Sequence, residues 1–405
     1  MKHFNVSQFI SKYITERENS LFEGDIQRNE ERLGQAIDGK SALVIGGAGT
    51  IGSSYIKAIL KFKPSKLFVV DLNENGLTEL VRDLRSSVDY NIPDNFKTYP
   101  IDFASDVFEK ILKNEGPFHI VANFAAHKHV RSEKDHYSIE AMVDNNVIKA
   151  KKLLDLLVEN PPEHFFCVST DKAANPVNVM GASKKLMEDV ILAYSKKIPI
   201  TTARFANVAF SNGSLLFGFI ERMMKRQPLS SPTDVKRYFV SPEESGQICM
   251  LACMLGESGQ IFFPKLREEQ MKTFSNIGED FLREFGGYTP NYCKTEREAK
   301  EKVLNLSDNE DKYPVYFFST DTSGEKKFEE FFVPGEDVDM STFEQLGVIR
   351  NSPTKQMEAI EELFEALNKV FESKEVTKKA IVDVMGDFIP NFKHVETGKS
   401  LDQKM

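Results

Sequence analysis

Short apolar runs alternate with stretches of helical period through the first half of the chain. Leu43–Ile45 is followed by a glycine-rich turn and then by a helical pattern, within SALVIGGAGTIGSSYIKAIL. Further apolar runs at 66–71 (KLFVVD), 118–126 (FHIVANFAA), 164–171 (HFFCVSTD) and 199–210 (PITTARFANVAF) predict strands. Between them Ile139, Met142, Val143, Val147, Leu153, Leu154 and Leu157 recur at the spacing that lines one face of a helix. Strands that alternate with helices predict an α/β fold, a doubly wound parallel sheet covered on both faces. Beyond about residue 210 the pattern changes. Helical stretches are expected at 215–226 and 243–255, a charged segment within 294–303, an acidic loop at 307–312 and an amphipathic helix near 354–373. That last helix is expected to pack on its own domain. The pattern holds no internal repeat and no low-complexity tract.

Composition narrows the class. Of 405 residues 41% are hydrophobic and 28% charged, enough to bury a substantial core. The 52 Lys and Arg against 61 Asp and Glu give a net charge of −9 with no concentrated basic stripe, which argues against nucleic acid as a partner. The longest apolar runs fall short of a membrane-spanning helix, and the N-terminus lacks a signal-peptide pattern. Cys167, Cys249, Cys253 and Cys293 have no CxxC spacing, and Cys249 and Cys253 read as core residues. A reducing, cytoplasmic setting is expected, with no metal site and no membrane partner.

The turn after the first apolar run is Gly46-Gly47-Ala48-Gly49-Thr50-Ile51-Gly52, with glycines at 46, 49 and 52. A strand must turn sharply into a helix there, and side chains would block a pyrophosphate from the helix N-terminus. Asp71, at the end of the next run, is placed to accept hydrogen bonds from an adenosine ribose and to repel a 2′-phosphate. This predicts NAD rather than NADP, on a Rossmann domain. The alternative is a structural turn with Asp71 as a cap. Asp102, in YPIDF, either meets the adenine edge or sits as a loop carboxylate in water; spacing does not separate the two. Ala125 and Ala126 are small where a cofactor would pass. His127, Lys128 and His129 form a polar rim or a solvated loop.

Ser169-Thr170-Asp171-Lys172 follows an apolar run directly, and Met180-Gly181-Ala182-Ser183-Lys184 opens a helix. Ligands sit at the carboxyl edge of an open α/β sheet. Thr170, Asp171 and Lys172 would therefore face the cleft, an acid and a base side by side. The alternative is a surface ion pair.

From about residue 22 to 265 the chain resembles the polysaccharide-biosynthesis branch of the extended short-chain dehydrogenase/reductases, which includes the UDP-N-acetylglucosamine 4,6-dehydratases. The matching words are GGAGTIGS, AAHKHV, VSTDKAANPVNVMGASK, RFANVAFSNGS, KRYFVSPEES and GQIFFPK, with a fainter SGEKKFEE at 323–330. The stretch LFEGDIQRNEERLGQAIDGK is similar to the linker before the catalytic domain in long, membrane-anchored relatives. The resemblance implies a 4-keto-6-deoxy sugar as product, with Asp171 as acid, Lys172 as the C5 base, Thr170 on the C4 hydroxyl and Lys184 on the nicotinamide ribose. It also implies cofactor contacts at Gly46, Gly49, Thr50, Ile51, Gly52, Asp71, Asp102, Ala125, Ala126 and Lys128. Lys128, Asn207, Ser214 and Arg237 are the implied substrate contacts, with UDP-N-acetylglucosamine as the substrate and a homo-oligomer as the assembly.

Three departures stand out. Met180 occupies the place where most short-chain dehydrogenases have a tyrosine, so the C4 hydroxyl must lose its proton by another route. Retaining dehydratases of this branch share the methionine. Asn212-Gly213-Ser214 replaces an Arg-Gly-Ser word, and Thr322-Ser323-Gly324-Glu325-Lys326 replaces Arg-Pro-Gly-Glu-Lys. Both lose an arginine able to grip a diphosphate in bidentate fashion. A nucleotide-sugar epimerase and a catalytically silent cofactor-binding scaffold are the rival readings. The expected organisation is a helical lead-in at 1–40, a dinucleotide-binding domain at 41–210, a substrate-binding region interleaved with the core at 211–350, and a C-terminal helix and tail at 351–405.

Overall fold

The computed structural model describes residues 4–307, 309–320, 328 and 330–395. The Thr322–Lys326 word lies outside them. Nine strands form the main sheet: β1 (Ser41–Ile45), β2 (Lys66–Val70), β3 (Asn95–Tyr99), β4 (Ile120–Asn123), β5 (His164–Val168), β6 (Ile200–Ala203), β7 (Ile261–Pro264), β8 (Asp337–Asp339) and β9 (Leu346–Arg350). Their order is β8-β9-β7-β6-β5-β4-β1-β2-β3, and β3 through β7 run parallel. β9 is antiparallel to both of its neighbours. Every residue of β1, β4, β6 and β7 is buried. Continuous burial is what a sheet covered on both faces demands, and it explains why these strands read as unbroken apolar runs.

The strands are shorter than the apolar runs that announce them. The 118–126 run pairs only through Asn123, and the 164–171 run only through Val168. The 199–210 run splits into β6 and a two-residue ladder at Asn207–Val208. In each case the residues beyond the strand form a loop at the carboxyl edge: Phe124–Ala126 after β4, Ser169–Asp171 after β5 and Arg204–Ala206 after β6.

Helix Thr50–Ile59 packs against helix Pro242–Leu255 at very close range. A Cβ added to Gly246 would fall 2.3 Å from the Ser54 carbonyl. The second helix starts firmly: Ser241 caps the Glu244 N–H and the Glu244 side chain caps in return, with Pro242 opening the helix. Cys249 and Cys253 are buried within it.

A smaller cluster gathers Phe210, Leu216, Phe219, Ile277, Phe281, Leu282 and Val315. It lies beside a three-stranded parallel sheet of Leu229–Pro232, Lys312–Phe318 and Thr289–Tyr292. The charged lead-in contributes Phe9, Ile10 and Ile14 to this cluster, so its apolar positions are buried rather than solvated. The helix expected near 354–373 spans Met357–Phe371 and buries Ile360, Leu363, Phe364 and Leu367 in the main core. Among the described residues no helix is long and apolar enough to cross a membrane.

Candidate active site

Parallel strands deliver their following residues to one edge. From β2 to β6 across that edge come Asp71, the glycine turn, Phe124–Ala126, Thr170–Lys172 and Asn207. The chain leaves β1 toward β2 on one side and returns through β4 on the other. A crevice opens where the winding reverses, and ligands of open α/β sheets bind in such crevices.

The glycines of the turn serve different ends. Gly46 has φ +73°, and a Cβ there would lie 2.5 Å from the Ala125 amide nitrogen. Gly47 would strike Val69 at 2.3 Å, and Gly52 would strike the Gly46 carbonyl oxygen at 2.4 Å. These three are required by the protein's own packing. Gly49 is not: within 4 Å its Cβ would meet only the Gly46 oxygen, at 3.4 Å. Gly49 precedes a helix that no side chain caps, so its missing side chain leaves a cradle at a helix N-terminus suited to a phosphate. Thr50, Ile51 and Gly52 form the first turn of that helix. The Asp71 carboxylate accepts the Ala48 N–H at 3.0 Å and the Asn73 N–H at 2.9 Å, which holds it against the turn. Its four lone-pair positions leave room for ribose hydroxyls. A dinucleotide therefore fits these residues.

Asp102 is a partly exposed loop carboxylate with partners of its own. It accepts the Ala104 N–H at 2.9 Å and pairs with Lys149 Nζ at 2.5 Å. Burial opposes its ionisation, but Lys149 and the Ala104 amide together lower its pKa. Ala125 is held by Asn123, whose Oδ1 accepts its N–H at 3.0 Å. His127, Lys128 and His129 all touch solvent, yet all three have pKa values lowered chiefly by dehydration. They lie exposed on the loop that follows β4, at one side of the carboxyl-edge crevice. Gly213 stands opposite, where a Cβ would lie 3.0 Å from His129 Nε2, and the Asn212 N–H donates to Thr50 Oγ1 at 2.9 Å. The 212–214 word thus borders the glycine turn.

Asp171 is 2% exposed. Its Oδ1 accepts from Thr170 Oγ1 at 2.8 Å and from Lys172 Nζ at 3.1 Å. The Lys172 backbone rests on the next helix, Val179–Ala193, where a Cβ on Gly181 would lie 2.7 Å from the Lys172 carbonyl oxygen. Met180 and Lys184 are one turn apart on that helix and both buried. The Lys184 ammonium donates to the Val168 carbonyl at 2.6 Å and rests 3.2 Å from Met187 Sδ. Burial lowers its pKa. That carbonyl, the last of β5, takes one of the three donors of the ammonium.

The implied substrate contacts divide. Asn207 sits where its backbone N–H meets the Tyr238 carbonyl, beside Arg237, and its side-chain Nδ2 is buried without a partner. An orphaned buried donor at a strand end fits a polar ligand. Arg237 is 6% exposed, on a short ladder with Lys272–Thr273. Ser214 Oγ accepts the Phe217 N–H at the start of helix Leu215–Met224, a cap that does not use its O–H donor. Among the described residues, no group of three His, Cys, Asp or Glu side chains is placed to hold a metal ion.

Several contributors are not evident in the sequence pattern. Asn146, in a π-helical turn at Asp144–Ile148, accepts the His127 N–H at 2.8 Å. It donates to the His127 carbonyl at 2.9 Å and to Ser183 Oγ at 3.0 Å. It clamps the cleft wall to the Met180 helix. Its one signal is a polar residue interrupting an apolar helical stripe, and π turns favour such sites. Behind Thr170, Ser169 Oγ donates to Glu188 at 2.6 Å, and Arg204 grips Glu188 through two bonds of 2.9 and 2.8 Å. Arg204 also reaches Glu336 and the Phe331 carbonyl.

Comparison with known proteins agrees with this geometry. The family described as "Polysaccharide biosynthesis protein" matches residues 42–351. An uncharacterized membrane protein of Methanocaldococcus jannaschii is 30% identical over 309 residues, 71% of this chain and 89% of its own. A UDP-N-acetylglucosamine 4,6-dehydratase (inverting) of Campylobacter jejuni is 28% identical, covering 57% of this chain and 68% of its own. A UDP-glucose 4-epimerase of Rickettsia massiliae is 26% identical, covering 60% and 71%. Of a longer relative, the probable polysaccharide biosynthesis protein EpsC of Bacillus subtilis, the match spans only 41%. Among solved structures, Pen from Bacillus thuringiensis superposes with a TM-score of 0.61 at 20% identity, over 79% of this chain and 89% of its own. DesIV of Streptomyces venezuelae, a dTDP-glucose 4,6-dehydratase with NAD bound, gives 0.51 at 17%, over 69% and 88%. A crevice at the winding reversal, a phosphate cradle and a family match that runs from β1 through β9 lead to one assignment: this chain belongs to the polysaccharide biosynthesis protein family and has the extended short-chain dehydrogenase/reductase fold.

Proposed function

We propose that the protein is a nucleotide-sugar 4,6-dehydratase that uses NAD and acts on UDP-N-acetylglucosamine, with retention at C5. The observation that carries this reading is the buried Asp171, touching both Thr170 and Lys172 at the end of β5. The Campylobacter relative's dehydratase activity and the NAD in the DesIV structure support dehydration and the cofactor, while retention at C5 rests on Met180 alone, since that relative is inverting.

In this reading the glycine turn and Asp71 hold the dinucleotide, and Lys184, with three donors on its ammonium, adds a ribose hydroxyl to the Val168 carbonyl it already holds. Bound there, the nicotinamide would supply reversible hydride transfer, the oxidation needed at C4 and the reduction needed at C6. Thr170 lies between the sugar and Asp171. The C4 hydroxyl proton passes through Thr170 Oγ1 to Asp171, which replaces the missing tyrosine at Met180. Oxidation at C4 acidifies the C5 proton, and Lys172 in its neutral form removes it. Asp171, now protonated, gives its proton to the departing C6 hydroxyl, which leaves as water. Lys172 returns its proton to C5. Net change is the loss of one water, with every proton accounted for. Asn207 and Arg237 hold the diphosphate, and Lys128 borders the sugar.

Incubation with UDP-N-acetylglucosamine tests the proposal. The expected product has lost one water without added reductant, as read by mass spectrometry. Unchanged mass with altered ring couplings in NMR would replace the reading with a 4-epimerase, which the Rickettsia relatives also represent. A 4-epimerase needs no acid at C6, and the Asp171–Lys172 pair is therefore the feature that favours dehydration.

A further inference from the structure

The family match ends at residue 351, yet the last described residues return to the catalytic loop. That loop, 173–178, joins Lys172 to the helix of Met180 and Lys184. Asn391 Nδ2 donates to Asn175 Oδ1 at 3.2 Å and to the Ala174 carbonyl at 3.5 Å. The Lys393 N–H donates to the Pro176 carbonyl at 3.5 Å, and the Val395 N–H to the Val177 carbonyl at 3.0 Å. The loop carbonyls of Ala174, Pro176 and Val177 thus all have donors from one short C-terminal segment.

A single carboxylate ties this segment to the rest of the site. Glu133, 5% exposed at its side chain, accepts the Val179 N–H at 2.8 Å through Oε2. Its Oε1 faces Lys378 Nζ at 3.3 Å and the His394 ring. Val179 opens the catalytic helix, where a carboxylate also meets the favourable end of the helix dipole. Glu133 itself follows the His127–His129 wall. Three parts of the molecule therefore meet at Glu133: the cleft wall, the catalytic helix and the C-terminal segment on helix Lys378–Phe388.

We infer that the C-terminal segment 391–395, with Glu133 as its hub, is a latch that positions Asp171 and Lys172. This rests on the catalytic reading of that pair. The Lys172 backbone is wedged against Gly181, so a shift of the helix start moves the amine directly. An ångström of misplacement in an acid–base pair costs up to about a hundred-fold in rate. Glu133, His394 and Val395 are positioning residues, since none touches the reacting groups.

The test uses the full chain with Glu133→Ala, Glu133→Asp, His394→Ala and Val395→Pro, the last removing one N–H at an exposed site. Turnover of UDP-N-acetylglucosamine is measured with amide hydrogen exchange over 174–180. Expected for Glu133→Ala, His394→Ala and Val395→Pro is a ten- to hundred-fold fall in kcat, of the order of the misplacement cost, with KM unchanged. Exchange over 174–180 rises while that of β1, β4 and β5 stays, and Glu133→Asp recovers part of the rate. Unchanged kcat overturns the latch whatever the exchange shows, and so does a fall in kcat without faster exchange. An inactive wild type overturns the dehydratase reading and the positioning role with it; active wild type with unaffected variants overturns the latch alone.

Discussion

Asp171 and Lys172 are neighbours in the chain, so their adjacency needs no folding to create it; what folding adds is burial and Thr170. Lys172→Ala is expected to abolish exchange of the C5 proton with deuterated solvent while bound cofactor stays, as read by NMR and absorbance. Exchange at the wild-type rate would remove Lys172 from the base role. The residue behind the pair carries a stability prediction. Glu188 is fully buried, and although burial opposes its charge, Arg204 and Lys185 draw its pKa below the ordinary 4.5. A folded pKa below the unfolded one gives stability that is present above about 4.5 and lost as pH falls through the lower folded value. Glu188→Gln removes one of the two carboxylates that hold Arg204 and is expected to cost about 3–5 kcal/mol at pH 7. Urea denaturation checks this, and the gap between variant and wild type should narrow below pH 4.5. A gap independent of pH would refute the assignment.

Among the elements, the glycine turn separates packing from binding. Gly46→Ala places a side chain at φ +73° and 2.5 Å from backbone, and is expected to destabilise by about 1–3 kcal/mol. Gly49→Ala meets no such obstacle. It should change stability by less than about 0.5 kcal/mol yet release the dinucleotide. Thermal scans with and without added NAD distinguish the two; equal loss of stability in both would overturn the cradle. The turn was legible because a strand, three spaced glycines and a helix are local features. Strand lengths were less so, since the loops after the strands are buried too and carry Phe124, Phe205 and Ala206 beside polar residues. Asp102 and Ser214 were ambiguous for one reason. A carboxylate or hydroxyl looks alike in sequence whether it meets a ligand, Lys149 or a helix N-terminus.

Across the whole molecule, the lead-in straps the two cores together. Phe9, Ile10 and Ile14 enter the smaller cluster. A few residues on, Arg17 grips Glu244 of helix Pro242–Leu255 through two bonds of 2.9 and 2.8 Å. Arg17→Ala leaves the buried Glu244 short of two donors and is expected to cost about 1–3 kcal/mol, seen as a lower melting temperature. An unaltered melting temperature would show that the strap bears no load. The sequence alone determined the alternation of strand and helix, the glycine turn and the side-by-side acid and amine. Each depends on backbone period or on neighbours within a few residues. Tertiary structure alone decided that Arg204 joins Glu188 to Glu336, that Lys184 turns to the Val168 carbonyl, and that the C-terminal segment closes on Glu133. Those meetings join residues far apart in the chain, and only the packing of the elements between them brings their polar atoms within bonding distance.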